Sequence, residues 1–425
     1  MEKLEFPRVG EQMYHQVLDN GLHIFVVPKP GFQKSYAFFA TNYGGMDMKF
    51  KLDGQDMDTP AGVAHYLEHK MFDTKEGNAL QELAANGASP NAFTSNAITG
   101  YYFESTEKFE ENLRILLSFV SIPYFTKESV DKEQGIIGQE IGMIEDDPDW
   151  VVFMDLMQAL YEKHPVRVSV AGSAESISHI TAETLYACHK AFYTPSNMVL
   201  TVAGDVEPEE VVRIAREILP KEPGGHIERD YGGEEDGAAA KPEKELRMEV
   251  STPIFQLGFK AEPAPAGEEH LRRQLMGELA CEALLGNSSP LYARLYSEGL
   301  INKNFGYGFE LYPGCALMAA GGESCDPRAV RDAVLAEGAR IAQEGVDEGL
   351  FRRLKKGVYG AKVRGLNSFE NVCIELAQAH FAGVEYLTFP EVFDGISKAD
   401  VEDCIRRWVT PERCGLAVVR PGEEA

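Results

Sequence analysis

The sequence predicts an α+β protein. It has two homologous half-domains, each a mostly antiparallel sheet packed with helices, joined by a flexible acidic linker. Three observations carry this. At 425 residues the chain exceeds what one hydrophobic core usually serves. Lys221 to Glu245, rich in Gly, Ala and charge and nearly devoid of large apolar residues, reads as a solvated linker between 1–220 and 246–425. The two flanking stretches repeat each other at one constant shift.

The repeat is clearest at Tyr193-Thr194-Pro195 and Val409-Thr410-Pro411, each of which opens a run of β-formers, 216 positions apart. The same shift carries Val130-Asp131 onto Val346-Asp347. It carries Tyr36-Ala37-Phe38-Phe39 onto Thr252-Pro253-Ile254-Phe255, and Tyr101-Tyr102-Phe103 onto Leu317-Met318-Ala319. Within each half, strands and helices mix. His23–Val27 and Met198–Ala203 are short β-branched or aromatic runs, whereas Leu113–Val120 and Glu209–Leu219 space their apolar residues as helices do. Because the two types do not alternate strictly, an α+β sandwich fits better than a doubly wound parallel sheet. The acidic run Glu145–Asp149 reads as a helix end stopped by Pro148.

Composition narrows the function classes. A formal net charge of -26 argues against nucleic-acid binding and is compatible with basic peptide ligands. No stretch approaches the roughly 18 uninterrupted apolar residues that a membrane span needs. The first residues lack a secretory pattern. Seven cysteines, an odd number without CxxC spacing, point to a reducing compartment and a cytoplasmic location.

The chemistry concentrates in His65-Tyr66-Leu67-Glu68-His69. Thr59-Pro60 predicts a helix start, with Thr59 as cap and Pro60 in the first turn. On that helix His65 and His69, four apart, leave one face and can share one tetrahedral zinc. Glu68 lies near the same face, within reach of a water at the metal, as HExxH read in reverse. A catalytic zinc wants a third protein ligand. The helix predicted after Thr126 offers Glu133 and Glu140, two turns apart on one face. The repeat supplies a control: the constant shift sets Cys281, Leu285, Gly349 and Lys356 against His65, His69, Glu133 and Glu140. The fold therefore does not require the histidines and glutamates of the first half.

At these residues the chain resembles the insulinase/pitrilysin-type metallopeptidases, which include the mitochondrial processing peptidase. The wording from Glu133 to Trp150 is similar to a bacterial branch of short-chain members. The resemblance implies that His65, His69 and Glu140 bind zinc, one ion per active chain, that Glu68 is the general base, and that Glu133 supports the site. It also implies that Asn91-Ala92-Phe93-Thr94 is an edge strand on which substrate backbone lies. Four half-domains close a chamber in this family, so a chain of two halves implies a homodimer or a heterodimer. Active members draw an Arg and a Tyr from a second-half domain, and here Tyr296 stands where that Arg belongs. That departure points to the metal-bearing subunit of a pair whose partner supplies the Arg/Tyr. The expected function is a zinc endopeptidase acting on unfolded peptides. The alternatives are a non-catalytic assembly subunit and a leader-peptide maturation protease.

Overall fold

Runs that are apolar without alternation end up where both faces of a sheet are covered. Ser35–Thr41 and Met198–Gly204 are such runs, and every residue of both is buried in the computed structural model, which describes residues 1–422. Contacts divide the chain into two units. The first comprises Met1–Ile141, Val168–Tyr231 and Val363–Thr388, and the second comprises Gly142–Arg167, Gly232–Lys362 and the residues from Phe389.

The first unit holds strands β1 (Glu2–Phe6), β2 (Glu11–Val17), β3 (His23–Pro28), β4 (Ser35–Thr41), β5 (Lys49–Leu52), β6 (Gln55–Asp58), β7 (Ser89–Thr94), β8 (Thr99–Ser105), β9 (Met198–Gly204) and β10 (Ile227–Arg229). Seven of them form one sheet in the order β1-β2-β3-β9-β4-β8-β7. Only β3 and β9 run parallel. β7 is therefore an edge. β10, β5 and β6 make a small separate sheet.

The second unit has β11 (Glu243–Met248), β12 (Ile254–Ala261), β13 (Gly306–Tyr312), β14 (Cys315–Glu323) and β15 (Cys414–Pro421), in the order β11-β15-β12-β14-β13. That order repeats β3-β9-β4-β8-β7, with its single parallel pair in the same place. The mixed α+β class and the duplication expected from sequence are both present.

Three expectations need correction. The constant shift holds for β9 and β15 but drifts elsewhere because intervening loops differ in length. Tyr36 faces Ala203 and Ile254 faces Val419, so Tyr36 corresponds to Ile254 and not to Thr252. The helices Lys127–Glu145 and Glu348–Gly365 begin 221 apart, which sets Leu354 and Ala361, in place of Gly349 and Lys356, against Glu133 and Glu140. Neither replacement is a carboxylate, so the contrast between the copies stands.

The units are also not consecutive halves, because each half sends one helix to the other's sheet. Pro148–Leu160 packs on β12 and β15, and Phe369–Phe381 packs on β4 and β9, where Thr201 Oγ1 donates to the Cys373 carbonyl at 2.9 Å. Pro148 does follow a helix end at Glu145, but it also opens the next helix, capped by the Asp147 carboxylate.

The linker, finally, is not a free solvated tether. β10 lies within it and pairs with β5, and Arg229 and Tyr231 bind the buried carboxylate of Asp47, both at 3.0 Å. Glu235 takes the backbone amides of Lys163 and His164 at 2.5 and 2.7 Å and the Lys260 ammonium at 3.1 Å. A segment without large apolar residues reads as solvated, yet its charges here meet buried partners. Among the described residues no helix is long and apolar enough to cross a membrane, and all seven cysteines are free thiols, six of them buried.

Glu235 yields a stability prediction. Burial opposes its charge, but the two amides and Lys260 outweigh that and bring its carboxyl pKa down to about 2. Its unfolded pKa is about 4.3. A depressed folded pKa means that its contribution is full above about pH 5 and is lost as pH falls toward 2. Glu235→Gln should destabilise the chain by about 3 kcal/mol at neutral pH, because it leaves Lys260 buried without its carboxylate. Urea melts of both chains at pH 7 and pH 3 should show this gap narrowing on acidification, and an equal gap at both pH values would refute the assignment.

Candidate metal centre

The histidine helix runs from Val63 to Met71 and is capped at Gly62, three residues later than a cap at Thr59 would have started it. Thr59 is not its cap: its Oγ1 and amide both bind the Met48 carbonyl. The helix begins instead at Gly62, which holds a left-handed φ of 95° without a side-chain cap. A Cβ at Gly62 would sit 2.6 Å from the Ala171 carbonyl oxygen, so the close approach of the two segments selects glycine. Ser176 Oγ donates to the Ala61 carbonyl at 2.8 Å and fixes the same corner.

The carboxylate helix, Lys127–Glu145, begins as expected: Thr126 Oγ1 accepts from the Ser129 amide at 3.1 Å. Tyr66, wholly buried, donates its hydroxyl to the Val130 carbonyl at 2.5 Å and so joins the two helices.

This joint brings His65, His69 and Glu140 together, with one ligand atom from each within 4.8 Å of the others. His65 Nε2 lies 3.5 Å from Glu140 Oε1, and His69 Nε2 lies 3.5 Å from Oε2. A tetrahedral ion held at about 2.1 Å would separate its ligand atoms by about 3.4 Å, so the spacing and the donor set both fit such an ion. The buried His65 Nδ1 has no hydrogen-bond partner among the described residues. His69 Nδ1 meets Glu133 Oε1 at 3.1 Å, an arrangement that leaves Nε2 as the lone-pair nitrogen. Glu133 thus lies behind His69, outside the converging group.

Glu68 is 8 % exposed, and its Oε2 accepts from Thr94 Oγ1 at 2.9 Å. Burial raises its pKa, opposed by His65, by Thr94 and by His69. The His69 pKa is raised: burial lowers it, but the hydrogen bond to Glu133 and the charges of Glu68 and Glu140 prevail. Glu140 is lowered, mainly by its contact with His65.

The four expected substrate residues lie on edge strand β7. Pro90 fits there because a residue without an N–H belongs on a free edge. Two residues on, the Ala92 amide also lacks a β8 partner and meets Asn91 Oδ1 at 2.9 Å. Phe93 stacks on Phe38 at 5.8 Å. Thr94 turns its hydroxyl to Glu68, linking the edge to the histidine helix.

Sequence reasoning missed Lys70, 1 % exposed, which bonds Asp73 and lies 3.8 Å from Glu133. The signal was available, since a lysine follows the histidine motif directly and Asp73 comes three residues later, one helical turn on. In the second unit the helix Glu268–Leu285, which precedes β13 as the histidine helix precedes β7, has no histidine after His270.

Comparison with known proteins identifies the family. The family model described as insulinase (peptidase family M16) matches residues 54–174, and the model of the peptidase M16 inactive domain matches residues 179–358. The Bacillus subtilis protein described as "uncharacterized zinc protease YmfH" is 37% identical over 99% of both chains. A Mycobacterium leprae protein described as "uncharacterized zinc protease ML0855" is 27% identical over 85% of this chain and 83% of its own. The crystal structure of an M16-like peptidase from Alicyclobacillus acidocaldarius superposes with a TM-score of 0.94 at 31% identity, covering 99% of this chain and all of that one. Pitrilysin shares the fold at a TM-score of 0.76 and 18% identity, and there this chain spans 45% of the longer one. By identity along its whole length, and by both family models, the chain belongs to the insulinase family, peptidase family M16.

Proposed function

We propose that this chain is the metal-bearing subunit of a zinc endopeptidase that hydrolyses unfolded, extended peptides in a closed chamber. One observation carries the reading: His65, His69 and Glu140 converge on one point, with Glu68 beside them tied to the open edge of β7. In this reading the two histidines and Glu140 hold one zinc ion and leave a fourth position open. When bound, the ion supplies Lewis acidity to the scissile carbonyl and acidifies the attacking water.

The chain's own residues do the rest. Glu68 takes the proton of the attacking water and delivers it to the leaving amine nitrogen. Its Oε2 is held by Thr94, so Oε1 is the oxygen left for that proton. The Ala92 amide and carbonyl pair with the peptide main chain as an added strand, which positions the scissile bond while reading little side-chain identity. Glu133 keeps the His69 ring in its metal-facing orientation. The excess of acidic residues favours basic peptides by long-range attraction.

Pairing with a second chain rests on two facts. The chain spans 45% of pitrilysin. Tyr296, more than half exposed, stands where the resemblance calls for an arginine. The same tyrosine favours a second reading, a non-catalytic assembly subunit. The reading as a cytoplasmic protein draws on the seven free thiols.

His65→Ala should lose its zinc by elemental analysis, whereas Glu68→Gln should keep zinc and lose about 10²–10⁴-fold in peptide hydrolysis. Unchanged zinc in the first variant, or full hydrolysis by the second, would refute the roles. Ala92→Pro removes an outward-facing amide and should raise the KM for peptides about tenfold with little change in melting temperature. An unaltered KM would rule out strand addition. Activity assayed for the chain alone, and mixed with a homologous subunit that has the Arg/Tyr pair, should appear or rise sharply on mixing. Inactivity in both assays would favour the assembly subunit.

A further inference from the structure

We infer that Lys70 is a positioning residue for the metal centre, acting through Glu133 on His69. The inference rests on the metalloenzyme reading above. Lys70 directly follows His69 on the histidine helix, and its side chain is 1% exposed. Burying an ammonium is costly unless its partners are close. It has two. One is Asp73, a turn along the chain, whose side chain is 38% exposed. The other is Glu133, 16% exposed, whose Oε2 lies 3.8 Å from Nζ.

The two oxygens of Glu133 are thereby divided. Oε1 accepts the His69 Nδ1 proton at 3.1 Å, and Oε2 faces the ammonium. The terminal torsion of a glutamate is broad, and a carboxylate held at one oxygen can still rock about it. A cation on the second oxygen narrows that freedom, and with it the freedom of the His69 ring. The chain Asp73–Lys70–Glu133–His69 thus runs from a half-exposed turn to the nitrogen that faces Glu140 at 3.5 Å. A lysine needed only for the pair with Asp73 could have stayed at the surface with it. Its burial is explained by the carboxylate on its other side.

The test is zinc affinity of the full chain, measured by competition with a chromophoric chelator, beside the melting temperature of the metal-free protein. Lys70→Met is close in volume and removes the charge. It should weaken zinc binding about 10–100-fold, the usual cost of losing an outer partner of a metal ligand. In a Glu133→Gln background the same substitution should add less than about twofold, because the residue through which it acts is already altered. Affinity within about twofold of the parent, or an equal loss in both backgrounds, would overturn the inference. If Lys70→Met does not fold, Lys70→Gln is measured instead, with the same expected and overturning results. A parent chain that binds no zinc would overturn the metalloenzyme reading itself, and the inference with it. A parent that binds zinc as tightly as its Lys70 variant overturns only the inference.

Discussion

The hydrogen bond from Tyr66 to the Val130 carbonyl fixes the distance on which the candidate site depends. Helical spacing alone puts His65 and His69 on one face, but it cannot bring a carboxylate from 71 residues further along to meet them. Tyr66 lies between the two histidines, points inward and is fully buried. Its hydroxyl finds the first turn of the carboxylate helix, and Glu140 follows in register. The N-terminus of the histidine helix is held too, one turn before Tyr66, by the glycine that lets the Ala171 carbonyl approach. A short helix gains little from its own hydrogen bonds. Its orientation comes from these contacts in its N-terminal half and from Thr94 on its flank.

Around this frame the charges are arranged in layers. His65, His69 and Glu140 face one another, Glu133 stands behind His69, and Lys70 lies beyond Glu133 with Asp73. Each group opposes the charge of its neighbour, which is how several ionisable residues can share a partly buried volume. Glu68 is the exception. It has a hydroxyl partner and, among the described residues, no cation within bonding distance, and burial raises its pKa. That environment suits a group that takes up and releases protons.

The duplication shows what the fold requires and what function adds. Both units build the same five-strand order with one parallel pair, so this topology buries its strands with or without a histidine helix. In the second unit, cysteine and leucine fill helical positions near those of the ligands, and Cys281 and Leu285 are buried. The exchange of one helix between the halves ties both stretches of chain into each unit's core. Thr201, inside a fully buried strand, needs an acceptor, and Phe369–Phe381 supplies one at Cys373.

Much of the fold and most of the site were legible in the sequence, because they depend on local periodicity. The i, i+4 histidines, the two glutamates seven apart, the strands around Phe38 and Leu200 and the repeat at Thr-Pro are all patterns of spacing. What was not legible depends on contacts across the chain. Gly62 in place of Thr59 as the helix start was decided by the Ala171 carbonyl. The linker's order was decided by Asp47 and Lys260, residues that lie outside it in sequence. The drift in the repeat was decided by loop lengths that strand register absorbs. Lys70 stood in plain view beside the motif, yet its burial against Glu133 follows from the packing of two helices. The sequence by itself determined which side chains could hold a metal and that the fold occurs twice. Only the tertiary structure decided which carboxylate faces both imidazoles, because that choice depends on the distance and rotation between two helices, which no spacing within either one encodes.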